Sequence, residues 1–191
     1  MTLVELVIAV HRSLAGADIP HALGGALALA YVGDARGTVD IDVNVFVPPA
    51  ELERVFAALD GLGLRPELEA DVRLPIAGCR LRSDDTPYPV DLFPSLDHHY
   101  EEVRRRCVVH PFGPDGAELP FLSAEDLAVF KLSFGRPKDW VDLTAVAAAR
   151  PGLDVDYIER QLTALRGPTT LPRVARLRRM LREGAGGPTA R

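Results

Sequence analysis

Cysteine is almost missing from these 191 residues: Cys79 and Cys107 are the only two. They lie far apart and in no metal-ligand spacing, which excludes a disulfide framework and a cysteine zinc site and predicts reduced thiols. A surplus of positive charge is missing too. The net charge of -5 excludes a protein that coats nucleic acid indiscriminately. No internal repeat is present, and no long apolar run. The opening MTLVELVIAVHRSLAG carries Glu5, and its apolar positions Leu3, Val4, Leu6, Val7 and Val10 recur at helical spacing. That pattern predicts an amphipathic first helix rather than a signal peptide, hence a cytoplasmic protein with no membrane partner. A chain of 191 residues suits one domain, or a domain with a helical extension.

What the sequence does have is concentrated in residues 19 to 47. From Val39 to Val47, aliphatic Val39, Ile41, Val43, Val45 and Val47 alternate with Asp40, Asp42, Asn44 and Phe46, the period of a strand. Asp40 and Asp42 therefore project to one side. Two carboxylates about 5 to 6 Å apart repel by about 3 kcal/mol at an effective dielectric near 20. A cation should relieve that repulsion, and magnesium, which shares carboxylate oxygens with substrate phosphates, suits the donors. Upstream, Ile19 to Leu23 reads as a buried strand and Ala26 to Val32 as a helix. Gly24 and Gly25 form the turn between them, a place where backbone N–H groups at a helix N-terminus can meet anions.

Further along, Pro48 and Pro49 open a helix to about Leu59, stopped by Gly61 and Gly63. Strands are expected near Leu64 to Leu68, over Val72 to Arg82 and over Tyr88 to Phe93, the last two joined by a turn at residues 83 to 86. Asp91, between Val90 and Leu92, points away from its strand's apolar side. A short helix follows from Asp97 to Arg105. His98 and His99, adjacent on it, diverge too far to share a metal and read as solvated. A hairpin over Cys107 to His110 and Ala117 to Phe121 comes next. Ser123 caps a helix in which Lys131 falls beside the apolar stripe of Leu127, Phe130 and Phe134, an uncommon place for an unpaired lysine. Asp139 and Asp142 share one side of the following helix, from Pro137 to before Pro151. After a helix over Asp154 to Leu165, Thr170 caps a final one. There Leu171, Val174, Leu177 and Leu181 pack, while Arg173, Arg176 and Arg179 fan outward and Arg178 lies near the stripe in want of an acid or a phosphate. The tail GAGGPTAR should be disordered.

A strand, a Gly-Gly turn, a helix and then a strand with Asp-x-Asp resembles the nucleotidyltransferase superfamily, the DNA polymerase beta-like fold. GGALAL followed by Arg36, Thr38, Asp40, Ile41 and Asp42, with KLSFGRPKDWVDL further on, looks most like the AbiEii and MenT-like toxin nucleotidyltransferases. The resemblance implies an α/β (α+β) fold: a nucleotidyltransferase core with a mixed sheet flanked by helices over residues 1–121, and a C-terminal helical region over 122–191. It implies transfer of a nucleoside monophosphate from an NTP to a hydroxyl, with Asp40, Asp42 and Asp91 holding magnesium. Gly24 and Gly25 would hold phosphate oxygens, and Lys131 would neutralise the triphosphate. Asp139 is the favoured functional acid of its helix, with Asp142 as the alternative. A tRNA 3' end, bound through the Arg-rich last helix, is the expected acceptor of such a toxin. An aminoglycoside-like small molecule is the alternative, and a non-catalytic nucleotide- or partner-binding module is another. Thr38, on the carboxylate face by alternation, is read as lining the site, where an antitoxin could act by phosphorylation.

Overall fold

The computed structural model describes residues 1–67, 78–96 and 99–185. The expected strand residues 72–77, the helix start at Asp97, His98 and most of the glycine-rich tail lie outside them. The chain divides into two compact units, Met1–Leu27 with Gly37–Leu122, and Ala28–Arg36 with Ser123–Arg191.

The first unit holds a mixed seven-stranded sheet. Its strands are β1 (His21–Leu23), β2 (Ile41–Val45), β3 (Arg65–Pro66), β4 (Cys79–Ser83), β5 (Thr86–Pro94), β6 (Val108–Phe112) and β7 (Ala117–Phe121), in the order β3-β4-β5-β2-β1-β7-β6. β2 runs parallel to β5 and β1 parallel to β7, and the remaining neighbours are antiparallel. Ile41, Val43 and Val45 of β2 are fully buried. Val39, expected among them, is 62% exposed, because the strand begins only at Ile41 and leaves Val39 and Asp40 in the approach to it.

Helix α1 (Leu3–Gly16) starts where the sequence pattern places it. Thr2 Oγ1 accepts from Glu5 N at 3.2 Å and Glu5 returns a bond to Thr2 N at 2.8 Å, satisfying two end donors at once. Leu6, Val7, Val10 and Leu14 form its buried side. Its C-terminus is held by Arg54, which donates to the carbonyls of Ala17 at 2.7 Å and Asp18 at 3.0 Å. Pro49 opens a 3-10 turn rather than the helix itself, and α3 occupies Leu52–Leu59. In α4 (His99–Arg106), His99 is buried with Tyr100 and Val103, which corrects the solvated reading of that histidine.

One packing feature of this unit makes its stability sensitive to acid. His21 Nδ1 lies 2.8 Å from the carbonyl of Ile19, so it carries the proton, and its Nε2 accepts from His11 Nδ1 at 2.9 Å. Burial first, and the Arg12 charge second, lower the His11 pKa below its ordinary 6.5. Burial likewise lowers that of His21, and the neighbouring His11 adds to the effect. As pH falls below 6.5 the unfolded chain takes up protons that the folded pair resists, so stability must fall with pH through that window. Thermal unfolding between pH 7.5 and 5 should show Tm declining, and His11→Asn, which keeps a donor but cannot be protonated, should flatten the decline. Parallel slopes for the two proteins would refute the assignment.

The second unit is helical, with α5 (Ala124–Phe134), α6 (Pro137–Ala149), α7 (Val155–Arg166) and α8 (Leu171–Ala185), together with the greater part of α2 (Gly25–Val32). Ser123 caps α5 by accepting from Asp126 N at 3.1 Å, and Asp154 caps α7 by accepting from Tyr157 N at 2.8 Å. Asp126 is fully buried, a position given it by Ser123 Oγ at 2.5 Å and Tyr157 OH at 2.6 Å. Thr170 ends a 3-10 turn instead of capping α8, its hydroxyl donating to the Gly167 carbonyl at 2.8 Å. Along α8, Val174, Leu177 and Leu181 are buried, whereas Leu171 at the first position is exposed. Among the described residues, no helix is long and apolar enough to cross a membrane.

Candidate active site

Three acidic side chains and one arginine converge in the first unit. In the parallel pairing of β2 and β5, Asp42 stands opposite Asp91, and in the antiparallel pairing of β4 and β5, Arg80 stands opposite Asp91. Residues directly opposite across a sheet share a face. The three therefore form a row across neighbouring strands. Arg80 Nε donates to Asp91 Oδ1 at 2.7 Å and its NH2 to Asp91 Oδ2 at 2.7 Å, a two-pronged bond. The same NH2 reaches Asp40 Oδ1 at 3.4 Å. Asp91 is buried, and Arg80 keeps about a third of its side chain exposed. The hydrogen bond to Asp91, helped by the charges of Asp91 and Asp40, outweighs the opposing effect of burial and raises the Arg80 pKa still further. Beside this row, burial and the Asp91 charge push the Cys79 thiol up, so it is no nucleophile.

Asp42 is fitted against the glycine pair. Gly24 N donates to the Asp42 carbonyl at 2.8 Å, extending the β1–β2 ladder. Gly24 is thus not the phosphate donor that the sequence suggests, since its N–H is already used. Gly25 opens α2 at φ +54, and a Cβ there would overlap Asp42 Oδ2 outright and fall 2.6 Å from Asp42 Cγ. Both facts call for glycine. At the head of a helix, the first N–H groups have no partner inside it, and such groups can meet an anion.

Thr38 also differs from its sequence reading. Its hydroxyl donates to the Asp40 carbonyl at 3.0 Å and accepts from Asp40 N at 3.2 Å. Instead of lining a ligand path by strand alternation, it folds over the backbone of Asp40, which precedes the strand.

The donor chemistry suits a hard divalent cation. All three acids offer carboxylate oxygens, and Arg80 already stands in as the cation between Asp40 and Asp91. Among the described residues no three His, Cys, Asp or Glu side chains form a ready-made metal cage. Magnesium needs none, since one or two carboxylates plus substrate phosphates suffice.

Within the second unit Lys131 is buried, as its place beside the stripe suggests, and it is paired. Lys131 Nζ donates to Asp142 Oδ2 at 2.5 Å. Arg36 adds bonds to Asp142 Oδ1 at 2.8 Å and Oδ2 at 3.1 Å. Burial works to raise the Asp142 pKa, but the hydrogen bonds from Arg36 and Lys131 outweigh it and hold the carboxyl below its ordinary value. Asp139 does something else. It accepts from Arg136 N at 2.9 Å and from the Arg136 guanidinium at 2.8 and 3.1 Å, tying the first turn of α6 to its N-cap residue. The lysine's partner is Asp142.

The arginines of α8 are largely spent inside this unit. Arg173 donates to the carbonyls of Leu132 at 2.6 Å and Ser133 at 2.9 Å, closing the end of α5. Arg176 lies 3.9 Å over the Trp140 ring, and Arg178 binds Asp156 and Glu159, both at 2.7 Å. Among the described residues, Arg179 and Arg182 of the helix are exposed and take no part in these contacts.

Sequence reasoning missed Arg80 and the partner of Arg36. Arg80 carries no motif, and only the β4–β5 register brings it to Asp91. Arg36 stands in the motif segment itself, where its two-residue spacing from Thr38 is visible but its acidic partner, far along the chain, is not.

No protein-family model matches the chain, and no curated protein matches it by sequence. Solved structures do. The solution structure of the antibiotic-resistance factor ANT(2'')-Ia is similar with a TM-score of 0.58 and 19% identity, over 94% of this chain and 97% of that one. The crystal structure of ANT(2'')-Ia in complex with adenylyl-2''-tobramycin gives 0.55 and 19%, over 97% and 100%. An antigenic nucleotidyltransferase-like protein of Paracoccidioides brasiliensis gives 0.53 and 14%, over 94% and 92%. The chain has a nucleotidyltransferase-like fold, as the Gly-Gly and Asp-x-Asp pattern implies.

Proposed function

We propose that this protein is a magnesium-dependent nucleotidyltransferase that moves a nucleoside monophosphate from an NTP to a hydroxyl of a small, cationic, aminoglycoside-like acceptor. The observation that carries the reading is the face shared by Asp42 and Asp91, with Asp40 tied to it through Arg80, and a Gly-Gly turn packed against Asp42. Asp40 and Asp42, joined by Asp91, would hold magnesium, which when bound neutralises triphosphate charge and lowers the pKa of the acceptor hydroxyl. Gly25 leaves room for the Asp42 carboxylate and starts the helix whose N–H groups favour phosphate. Thr38 fixes Asp40. Lys131, on this reading, supplies positive charge to the leaving pyrophosphate.

The acceptor is argued from charge and from likeness. A chain of net charge -5 attracts cations over polyanions. Similarity to ANT(2'')-Ia, whose complex holds an adenylylated tobramycin, runs over nearly the whole of both chains. The tRNA-directed toxin reading, with an AbiEii or MenT-like relationship and an antitoxin acting at Thr38, has less behind it. Arg173, Arg176 and Arg178 are engaged within their own unit, and the Thr38 hydroxyl is held by Asp40.

The test is incubation of the protein with each labelled NTP and magnesium, once with a panel of aminoglycosides and once with total tRNA. Label should transfer to an aminoglycoside from one NTP and not to tRNA. Label in the tRNA band alone would reverse the choice of acceptor, and no transfer to either would remove the enzyme reading.

A further inference from the structure

Arg80 occupies the carboxylates that the proposed reaction needs for a metal. It grips both oxygens of Asp91 at 2.7 Å and touches Asp40 at 3.4 Å. A divalent ion bound to Asp91 would come within a few ångströms of this guanidinium, two like charges in a half-buried place where water screens them poorly. Arginine cannot lose its proton to escape the conflict. It can, however, move. With about a third of its side chain exposed, Arg80 has solvent to swing into, whereas Asp91, one-tenth exposed, is fixed on the interior strand β5.

We propose that Arg80 is a resident counter-cation of the Asp40–Asp42–Asp91 row, that a divalent ion and Arg80 compete for Asp91, and that Arg80 thereby sets the protein's divalent-ion affinity. The proposal rests on the nucleotidyltransferase reading for the role of the row, and adds a residue that the Gly-Gly and Asp-x-Asp pattern does not contain. It has two linked consequences. Removing the guanidinium should make the carboxylates better metal ligands, because no cation has to be displaced. It should also make the protein less stable in chelator, because buried Asp91 loses both its bonds and faces Asp42 across the sheet. A residue with a merely structural role would give the second effect without the first.

The probe is Mn2+, titrated into the full-length protein with the free ion counted by its paramagnetic resonance signal. Wild type, Arg80→Gln, Arg80→Lys and Asp42→Asn are compared, with thermal unfolding of each in EDTA and in excess Mn2+. Arg80→Gln should bind Mn2+ about tenfold more tightly, the scale of one like charge removed at close range. Its Tm should lie below wild type in EDTA and recover most of the gap in Mn2+. Arg80→Lys, a point charge without the fork, should fall between, and supplies the comparison if the glutamine variant does not fold. Equal or weaker Mn2+ binding by both Arg80 variants, with Asp42→Asn clearly impaired, overturns the competition and leaves the metal-site reading standing. Equal binding by all four proteins, Asp42→Asn included, removes the metal site and this proposal with it.

Discussion

Asp42→Asn is expected to lower nucleotidyl transfer by about a thousandfold, the effect of losing roughly 4 kcal/mol of metal-derived transition-state stabilisation. The variant keeps the shape of the side chain beside Gly25 and leaves untouched the Gly24 N–H bond, which goes to the Asp42 backbone carbonyl. The fold should therefore survive. Stability should change by less than about 1 kcal/mol, and a slight gain is expected, because a like charge opposite Asp91 disappears. The decisive pairing is a rate with excess magnesium and a melting curve on the same preparation. A variant that melts with wild type and retains more than a tenth of its rate would take Asp42 out of the metal site.

Much of the first unit is legible because its signals are local. The helical spacing of Leu3, Leu6, Val7 and Val10 announces α1, and the alternation through Ile41, Val43 and Val45 announces a buried strand. The same alternation puts Asp42 on the opposite side, and the flanks of Asp91 put it on the corresponding side of β5. What the pattern could not carry was register. Nothing in residues 39 to 47 says that pairing begins at Ile41, so alternation alone does not place Val39 and Thr38, which precede the strand. Nor does spacing along one strand reveal that Arg80, on another, sits opposite Asp91. The helices of the second unit posed a different problem. Asp139 and Asp142 lie three apart and look equivalent by periodicity. Their separation comes from the end of the helix: Pro137 fixes the start, so Asp139 becomes the residue that reaches back to Arg136 N. The arginines of α8 show the same limit. Their outward fan is visible in sequence, but the Leu132 and Ser133 carbonyls and the Trp140 ring that receive them come from α5 and α6.

Breaking the Lys131–Asp142 pair from either side should separate its part in folding from its part in chemistry. Asp142→Leu leaves a buried ammonium without its carboxylate and releases Arg36, whose side chain is 41% exposed and can turn to water. An unpaired buried charge costs about 3 to 5 kcal/mol, which for a chain of this size is on the order of 10 °C in Tm. Lys131→Met should cost less, since Arg36 still holds both oxygens of Asp142. Combining the two removes both buried charges and fills their volume with apolar side chains, so the double variant should regain most of the lost stability. Activity is the second axis. If Lys131 delivers charge to the departing pyrophosphate, the double variant will be folded and still slow by about a hundredfold or more, the usual loss when a preorganised electrostatic contact is deleted. Recovery of both Tm and rate in the double variant would instead make the pair a structural tie and remove Lys131 from the reaction.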